Sequence, residues 1–161
     1  MQPHPEENLR VALNSAFCHE ALIRAINRYR RYDERTSFAL LEMNADGVYR
    51  GIRRRIRPTD AVEELDAGLF WITYGYTSVR EAASAVRNLA GFLRGELSGV
   101  RIVGAFTQVY DEDHLPEQVI ERLHDVLLEA REIDGPLALK GDSDFMRGYR
   151  RFHLGEPIGN M

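Results

Sequence analysis

Arg57-Pro-Thr-Asp60-Ala61-Val62-Glu63-Glu64-Leu65-Asp66-Ala67-Gly68-Leu69-Phe70-Trp71-Ile72-Thr73-Tyr74 is the stretch whose reading decides the fold. Ala61-Val62 and Leu69–Tyr74 read as two strands joined through Glu63–Gly68, a hairpin with Asp66-Ala67-Gly68 at its tip. Pro58 fixes the near side of the stretch, because the residue before a proline is pushed out of helical space. A short basic helix, Val48 to Ile56, therefore ends just before Arg57. On the far side, Thr77 or Ser78 has the side chain of a helix cap, and Glu81 follows Ser78 at capping-box spacing. A helix to about Glu96 is expected there.

Further outward, Leu9, Leu13, Phe17, Ala21, Ile23 and Ile26 recur at helical spacing, which predicts one helix from about Leu9 to Arg31. Phe38–Met43 is short and apolar and reads as a buried strand. Asn44-Ala-Asp-Gly47 is turn chemistry. Val100–Val109 is a further strand, and Pro116 opens a helix to about Glu132 with Val119, Ile120, Leu123, Val126 and Leu127 as its apolar stripe. Leu137–Leu139 suggests an edge strand. The order is that of an α/β (α+β) domain, with a central mixed sheet flanked by helices. Residues 1–161 form a single domain, with a core over 9–135 and a C-terminal extension over 136–161.

Composition bounds the chemistry. The chain has 161 residues, 44 % hydrophobic and 29 % charged, as a soluble globular domain does. One cysteine, Cys18, excludes an internal disulfide and a Cys-built zinc site. The start has no signal-peptide pattern, and no apolar run is long enough for a membrane span. A cytoplasmic location is the expectation, whether as a free domain or as part of a larger membrane-associated system. Net charge −4 argues against binding a nucleic-acid polymer. Yet Arg50, Arg53, Arg54, Arg55 and Arg57 fall within eight positions, a local field suited to a phosphodiester. His4, His19, His114, His124 and His153 show no ligand spacing. No Ser/His/Asp or Cys/His arrangement stands out, so neither a catalytic residue nor a metal site is expected.

Element order and several short motifs together resemble the GGDEF domain, the diguanylate cyclase fold. The motifs are Arg28-Tyr-Arg-Arg-Tyr32 before Phe38-Ala-Leu-Leu41, the span Leu93–Thr107, and Asp125-Val-Leu-Leu-Glu-Ala-Arg131 with Gly135. Against the family's Gly-Gly-Asp/Glu-Glu-Phe hairpin this chain reads Asp66-Ala67-Gly68-Leu69-Phe70. The family's glycines let the backbone approach the phosphates, and its carboxylate holds metal ions. Here Gly68 stands at the metal carboxylate, Leu69 at the next acid, and only Phe70 survives. Glu42 falls near the family's first-strand metal aspartate, but reads better as a strand-end residue. Only twelve residues separate Asn44 from Arg57, so most of the family's guanine-binding segment is missing. The resemblance thus implies a degenerate domain without cyclase activity.

One family motif remains. Arg57-Pro-Thr-Asp60 lies five residues before the hairpin signature, at the spacing of the family's Arg-x-x-Asp site for cyclic di-GMP. Arginine forks onto guanine O6 and N7 or clamps a phosphate, and aspartate accepts from guanine N–H groups. Without that register the pair would be an ordinary surface ion pair, worth little. A further family arginine aligns with Asn88, one residue from Arg87; Arg87, Arg80 or Arg53 could take its place. The implied function is a cyclic di-GMP receptor with no cofactor that signals to a protein partner. The Pel-type exopolysaccharide receptor domain has the same logic, which points towards exopolysaccharide and biofilm control. The alternative is a ligand-free protein-interaction scaffold, and a homodimer stays open.

Overall fold

A computed structural model describes residues 4–142. In chain order these form α1 (Glu6–Leu13), α2 (Ala16–Tyr32), β1 (Ser37–Glu42), α3 (Val48–Arg55), β2 (Ala61–Asp66) and β3 (Leu69–Tyr74). There follow α4 (Val79–Glu96), β4 (Ile102–Gln108), α5 (Pro116–Arg131) and β5 (Leu137–Gly141). The expected extension past Asp142 lies outside the described residues. The sheet itself continues beyond residue 135, because β5 is its fifth strand.

Strand order is β2-β3-β1-β4-β5, with β4 and β5 parallel and all other pairs antiparallel. The parallel pair needs a crossover, and α5 supplies it. β1 is central, and every one of its residues is buried, which is why it reads as an unbroken apolar run. Alternate side chains point to opposite faces. Phe38, Leu40, Leu69, Trp71, Val103 and Ala105 meet the buried residues of α1, α2 and α5 on one face. Ala39, Leu41, Phe70, Ile72, Ile102 and Phe106 meet α3 and α4 on the other. Phe38 and Trp71 pack with ring centroids 5.1 Å apart. At Gly104 an added Cβ would lie 2.6 Å from a Leu139 methyl and 2.8 Å from a Leu41 methyl, so any larger residue there would push both leucine side chains aside.

Two details differ from the sequence reading. The first long helix is two, because the Ser15 side chain accepts a hydrogen bond from the Cys18 N–H and caps a new start. Both pieces bury the same side, through Leu9 and Leu13 and then Cys18, Leu22, Ala25 and Ile26. Ile23, expected on that stripe, is exposed. Second, β2 runs through Asp66, and the turn shrinks to Ala67-Gly68, with Gly68 at φ 76°. As an edge strand β2 fully buries only Val62, so its polar second half carries no apolar signal. The Ser78–Glu81 capping box is present, so α4 starts where expected.

Candidate ligand-binding site

Arg57 leaves the end of α3 and turns back within one β-turn, its carbonyl accepting from the Asp60 N–H at 2.9 Å. Asp60 Oδ2 accepts from the Arg57 backbone N–H at 2.9 Å and from Nε at 3.1 Å. Its Oδ1 accepts from Arg57 Nη2 at 3.0 Å and from the Gly75 N–H at 3.3 Å. Arg57 Nη2 also reaches the Gly75 carbonyl at 2.9 Å and Thr77 Oγ1 at 2.6 Å. The pair therefore stitches the α3–β2 turn to the β3–α4 turn. It is asymmetric: the Asp60 side chain is 2 % exposed and that of Arg57 55 %. The sequence reading turned both residues towards a ligand. In the structure the Asp60 carboxylate is spent on Arg57 and Gly75, and Arg57 alone presents an open edge, at Nη1.

Arg57 and Asp60 line an open groove of about 400 Å³ between the end of α3 and one face of α4. Arg55 lies across it, its guanidinium carbon 3.2 Å from the centre of the Phe92 ring, a cation–π contact. From α4, Glu81, Ala85, Asn88 and Phe92 share the groove face at helical spacing. The hydroxyl of Tyr74 is buried, has no hydrogen-bond partner and belongs to a groove-lining residue. Burial, then the nearby Asp60 carboxylate, push its pKa well above the usual phenol value, so it is a standing donor. Arg87 and Arg53 are exposed and do not line the groove. A single step along a helix rotates a side chain by about 100°, which puts Asn88 on the groove face and Arg87 beside it. Tyr74, Phe92 and Glu81 escaped the sequence reading as groove residues, because only their distance from Arg57 marks them.

At the other end of β1 the Asp66–Phe70 stretch makes a different arrangement. Asp66 ends β2, Ala67-Gly68 form the turn, and Leu69 and Phe70 are buried on opposite faces of the sheet. Glu42, paired with Leu69 in the ladder, is buried. Arg131 from the end of α5 forks onto it, Nε at 3.0 Å from Oε1 and Nη2 at 2.8 Å from Oε2. His4 adds its ring Nδ1 at 2.8 Å and its backbone N–H at 3.3 Å, and its Nε2 lies 3.5 Å from Asp66. Burial raises the Glu42 pKa, but the hydrogen bonds from Arg131 and His4 outweigh it and hold the carboxyl below its ordinary value. A basic fork thus occupies the carboxylate that the resemblance aligned near a metal ligand. The residues here do not fit a divalent metal: Glu42 has both oxygens engaged, and Gly68 and Leu69 bring no second carboxylate.

No family model and no curated protein matches this chain. Solved structures do match. A microbial GGDEF domain described with cyclic di-GMP aligns with a TM-score of 0.66 at 14 % identity, over 82 % of this chain and 96 % of that one. The fold is that of a GGDEF domain. The GGDEF domain of YfiN (TpbB) from Pseudomonas aeruginosa aligns at 0.66 and 15 % identity, over 77 % of this chain and 93 % of that one. The GGDEF domain of DgcB from Caulobacter crescentus, in complex with cyclic di-GMP, gives 0.63 and 13 %, over 74 % and 86 %. At such identities the likeness is one of fold, and it agrees with the five-stranded mixed sheet flanked by helices described above. Among the described residues no helix is long and apolar enough to cross a membrane.

Proposed function

We propose that this GGDEF-fold chain is a receptor for cyclic di-GMP that makes none itself and passes ligand occupancy to a protein partner. The groove over the Arg57–Asp60 pair carries this reading. It offers the open edge of Arg57, the guanidinium of Arg55, the unpartnered hydroxyl of Tyr74 and the amide of Asn88 around one space. Two guanidinium groups suit a phosphodiester. Guanine stacks on guanidinium and aromatic planes, and Arg55 over Phe92 provides both. Arg53 and Arg87 add positive field beside the groove without touching the ligand. The GGDEF neighbours described with cyclic di-GMP support the ligand class. Loss of turnover follows from Gly68 and Leu69 at the acidic positions and from Glu42 held by Arg131, since phosphoryl transfer needs metal ions on carboxylates. The implied place in exopolysaccharide and biofilm regulation, and a homodimer, rest on resemblance.

Calorimetric titration of the whole chain with cyclic di-GMP tests the receptor reading. Saturable binding is expected, weakened about 10- to 100-fold in Arg57→Ala, as for a lost charge-assisted hydrogen bond. Undiminished affinity in that variant overturns the site. Incubation with GTP and magnesium is expected to yield no product. One observation favours a ligand-free interaction scaffold instead: Asp60 already closes on Arg57, so the pair is satisfied without any ligand. No heat and no change in melting temperature with cyclic di-GMP would decide for the scaffold.

A further inference from the structure

Asp60 is not free to read a base in the groove. Its side chain is 2 % exposed, and it already accepts four hydrogen bonds, three from Arg57 and one from Gly75. A carboxylate offers about four lone-pair sites, so Asp60 is full. Among the described residues lining the groove, the one other acid is Glu81, at the third position of α4. Its Oε1 accepts from the Ser78 N–H at 3.0 Å, and its own N–H donates back to Ser78 Oγ at 3.3 Å. Oε2 accepts from no described residue. The capping box thus fixes where this carboxylate stands and leaves one edge of it open. Hydrogen bonds with Ser78, and then the charges of Arg57 and Arg35, hold its pKa below the ordinary carboxylate value, so it is an anion at neutral pH. Arg57, with Nη1 open, is near enough for each of the two to favour the other's charged form. An open donor and an open acceptor therefore stand together on one groove.

We propose that Glu81 is the residue that selects guanine, its carboxylate accepting from the N1 and N2 hydrogens of one base of the ligand while Arg57 Nη1 donates to O6. This deepens the receptor reading and rests on it. Along that edge guanine presents an acceptor and then two donors. The arginine–glutamate pair presents the complement, since Oε2 and the unused lone pair of Oε1 each take one hydrogen. Adenine presents its N6 amino donor to the arginine, a bare N1 lone pair to the carboxylate, and a C–H where guanine has its second amino group. Both contacts then set like against like, and polar groups left unpaired are what make such a site reject the wrong ligand. Asn88, on the same groove face, carries a donor and an acceptor and so accommodates either base. Arg57 Nη1 has two hydrogens, and the second stays available, with Arg55, to the phosphodiester. In the sequence Glu81 shows only as half of a capping box. Its second role needs Arg57, from before β2, folded onto the same groove.

The test is calorimetric titration of the whole chain and of Glu81→Gln with three ligands: cyclic di-GMP, cyclic di-AMP, and cyclic di-IMP, whose hypoxanthine lacks only the N2 amino group of guanine. Glutamine at this position keeps the capping box, so the melting temperature without ligand is expected to stay within a few degrees of wild type. Its amide turns an N–H2 towards guanine's own donors, and cyclic di-GMP affinity is expected to fall about 10- to 100-fold, as for a lost paired base contact. Wild type is expected to bind cyclic di-AMP about 100-fold more weakly than cyclic di-GMP, and cyclic di-IMP about 10-fold more weakly. The gap between cyclic di-GMP and cyclic di-IMP is expected to close in Glu81→Gln, which a purely structural cap would not cause. Unchanged cyclic di-GMP affinity in Glu81→Gln overturns the proposal, and so does equal binding of cyclic di-AMP by wild type. If Arg57→Ala loses binding and Glu81→Gln does not, the receptor reading stands and this assignment alone falls. No binding of any of the three by wild type overturns both.

Discussion

The two ends of β1 each carry an arginine–carboxylate pair, and the pairs are built oppositely. At the Ser37 end Asp60 is sunk and Arg57 stays 55 % exposed above a groove. At the Glu42 end both partners are largely buried, at 4 % and 14 %, and His4 closes over them. By strand rise the two ends are about 17 Å apart, so both arrangements fit on one short strand. The same ion pair thus faces solvent where the cation is left wet, and is an internal seal where it is not. What separates the two is how far the guanidinium is taken out of water.

The seal is where breakage costs most. Removing one partner of a buried pair leaves an uncompensated charge, at about 3–5 kcal/mol. Arg131→Ala is expected to lose stability in that range by urea unfolding while leaving cyclic di-GMP affinity unchanged, because the groove lies at the other end of the strand. Loss of binding together with the fold would break the comparison. The double variant Glu42→Leu/Arg131→Leu is expected to recover most of the loss, since a buried pair is often replaceable by apolar packing.

The same corner sets an acid limb. The folded Glu42 carboxyl titrates below its ordinary value of 4.5. Its contribution is therefore complete above the unfolded value and fades as pH falls through the lower, folded one. Unfolding free energy should drop as the pH goes below about 4.5, and Glu42→Gln should flatten that limb. An unchanged acid slope in the variant would show that other carboxylates set it.

At the open end the expected cost is smaller, although larger than for a surface residue. Asp60→Ala removes four accepted hydrogen bonds and leaves the Gly75 N–H unpartnered. A loss of about 1–3 kcal/mol follows, together with weaker ligand binding because Arg57 is no longer held. Thermal unfolding without ligand separates the two effects. Asp60→Asn, which keeps one acceptor, is expected to fall between wild type and alanine in both.

Strands with strong apolar runs, such as Phe38–Leu41 and Leu69–Tyr74, were legible in the sequence because burial on both sheet faces leaves no polar alternation. The capping box at Ser78 was legible for its fixed spacing. The break at Ser15 was not, because both helices bury the same side and the period runs on across the cap. Nor was the second half of β2, an edge that pairs through its backbone and buries little. The Arg57-to-Asp60 motif stood out by register, but that Asp60 turns inward depends on Gly75 and Thr77, fifteen and seventeen residues further along. Arg131 opposite Glu42 spans 89 positions and leaves no local trace.

The finest test of the comparison lies in the two arginines that flank the groove without lining it. Arg53 sits two positions before Arg55, on the exposed side of α3, and Arg87 sits one position from Asn88 on α4. Neither touches the space over Arg57, so neither can supply a hydrogen bond that is lost on truncation. Each still adds a positive charge beside it, and exposed charges act over about one Debye length, about 8 Å at physiological salt. Charges placed in this way act on encounter more than on residence. Arg53→Ala and Arg87→Ala are therefore expected to lower the association rate of cyclic di-GMP by a few-fold at low salt, with the dissociation rate unchanged and the difference gone in high salt. Stopped-flow binding at two ionic strengths reads this directly. A tenfold faster dissociation in Arg87→Ala would place that arginine in contact with the ligand and make the groove wider than its lining shows.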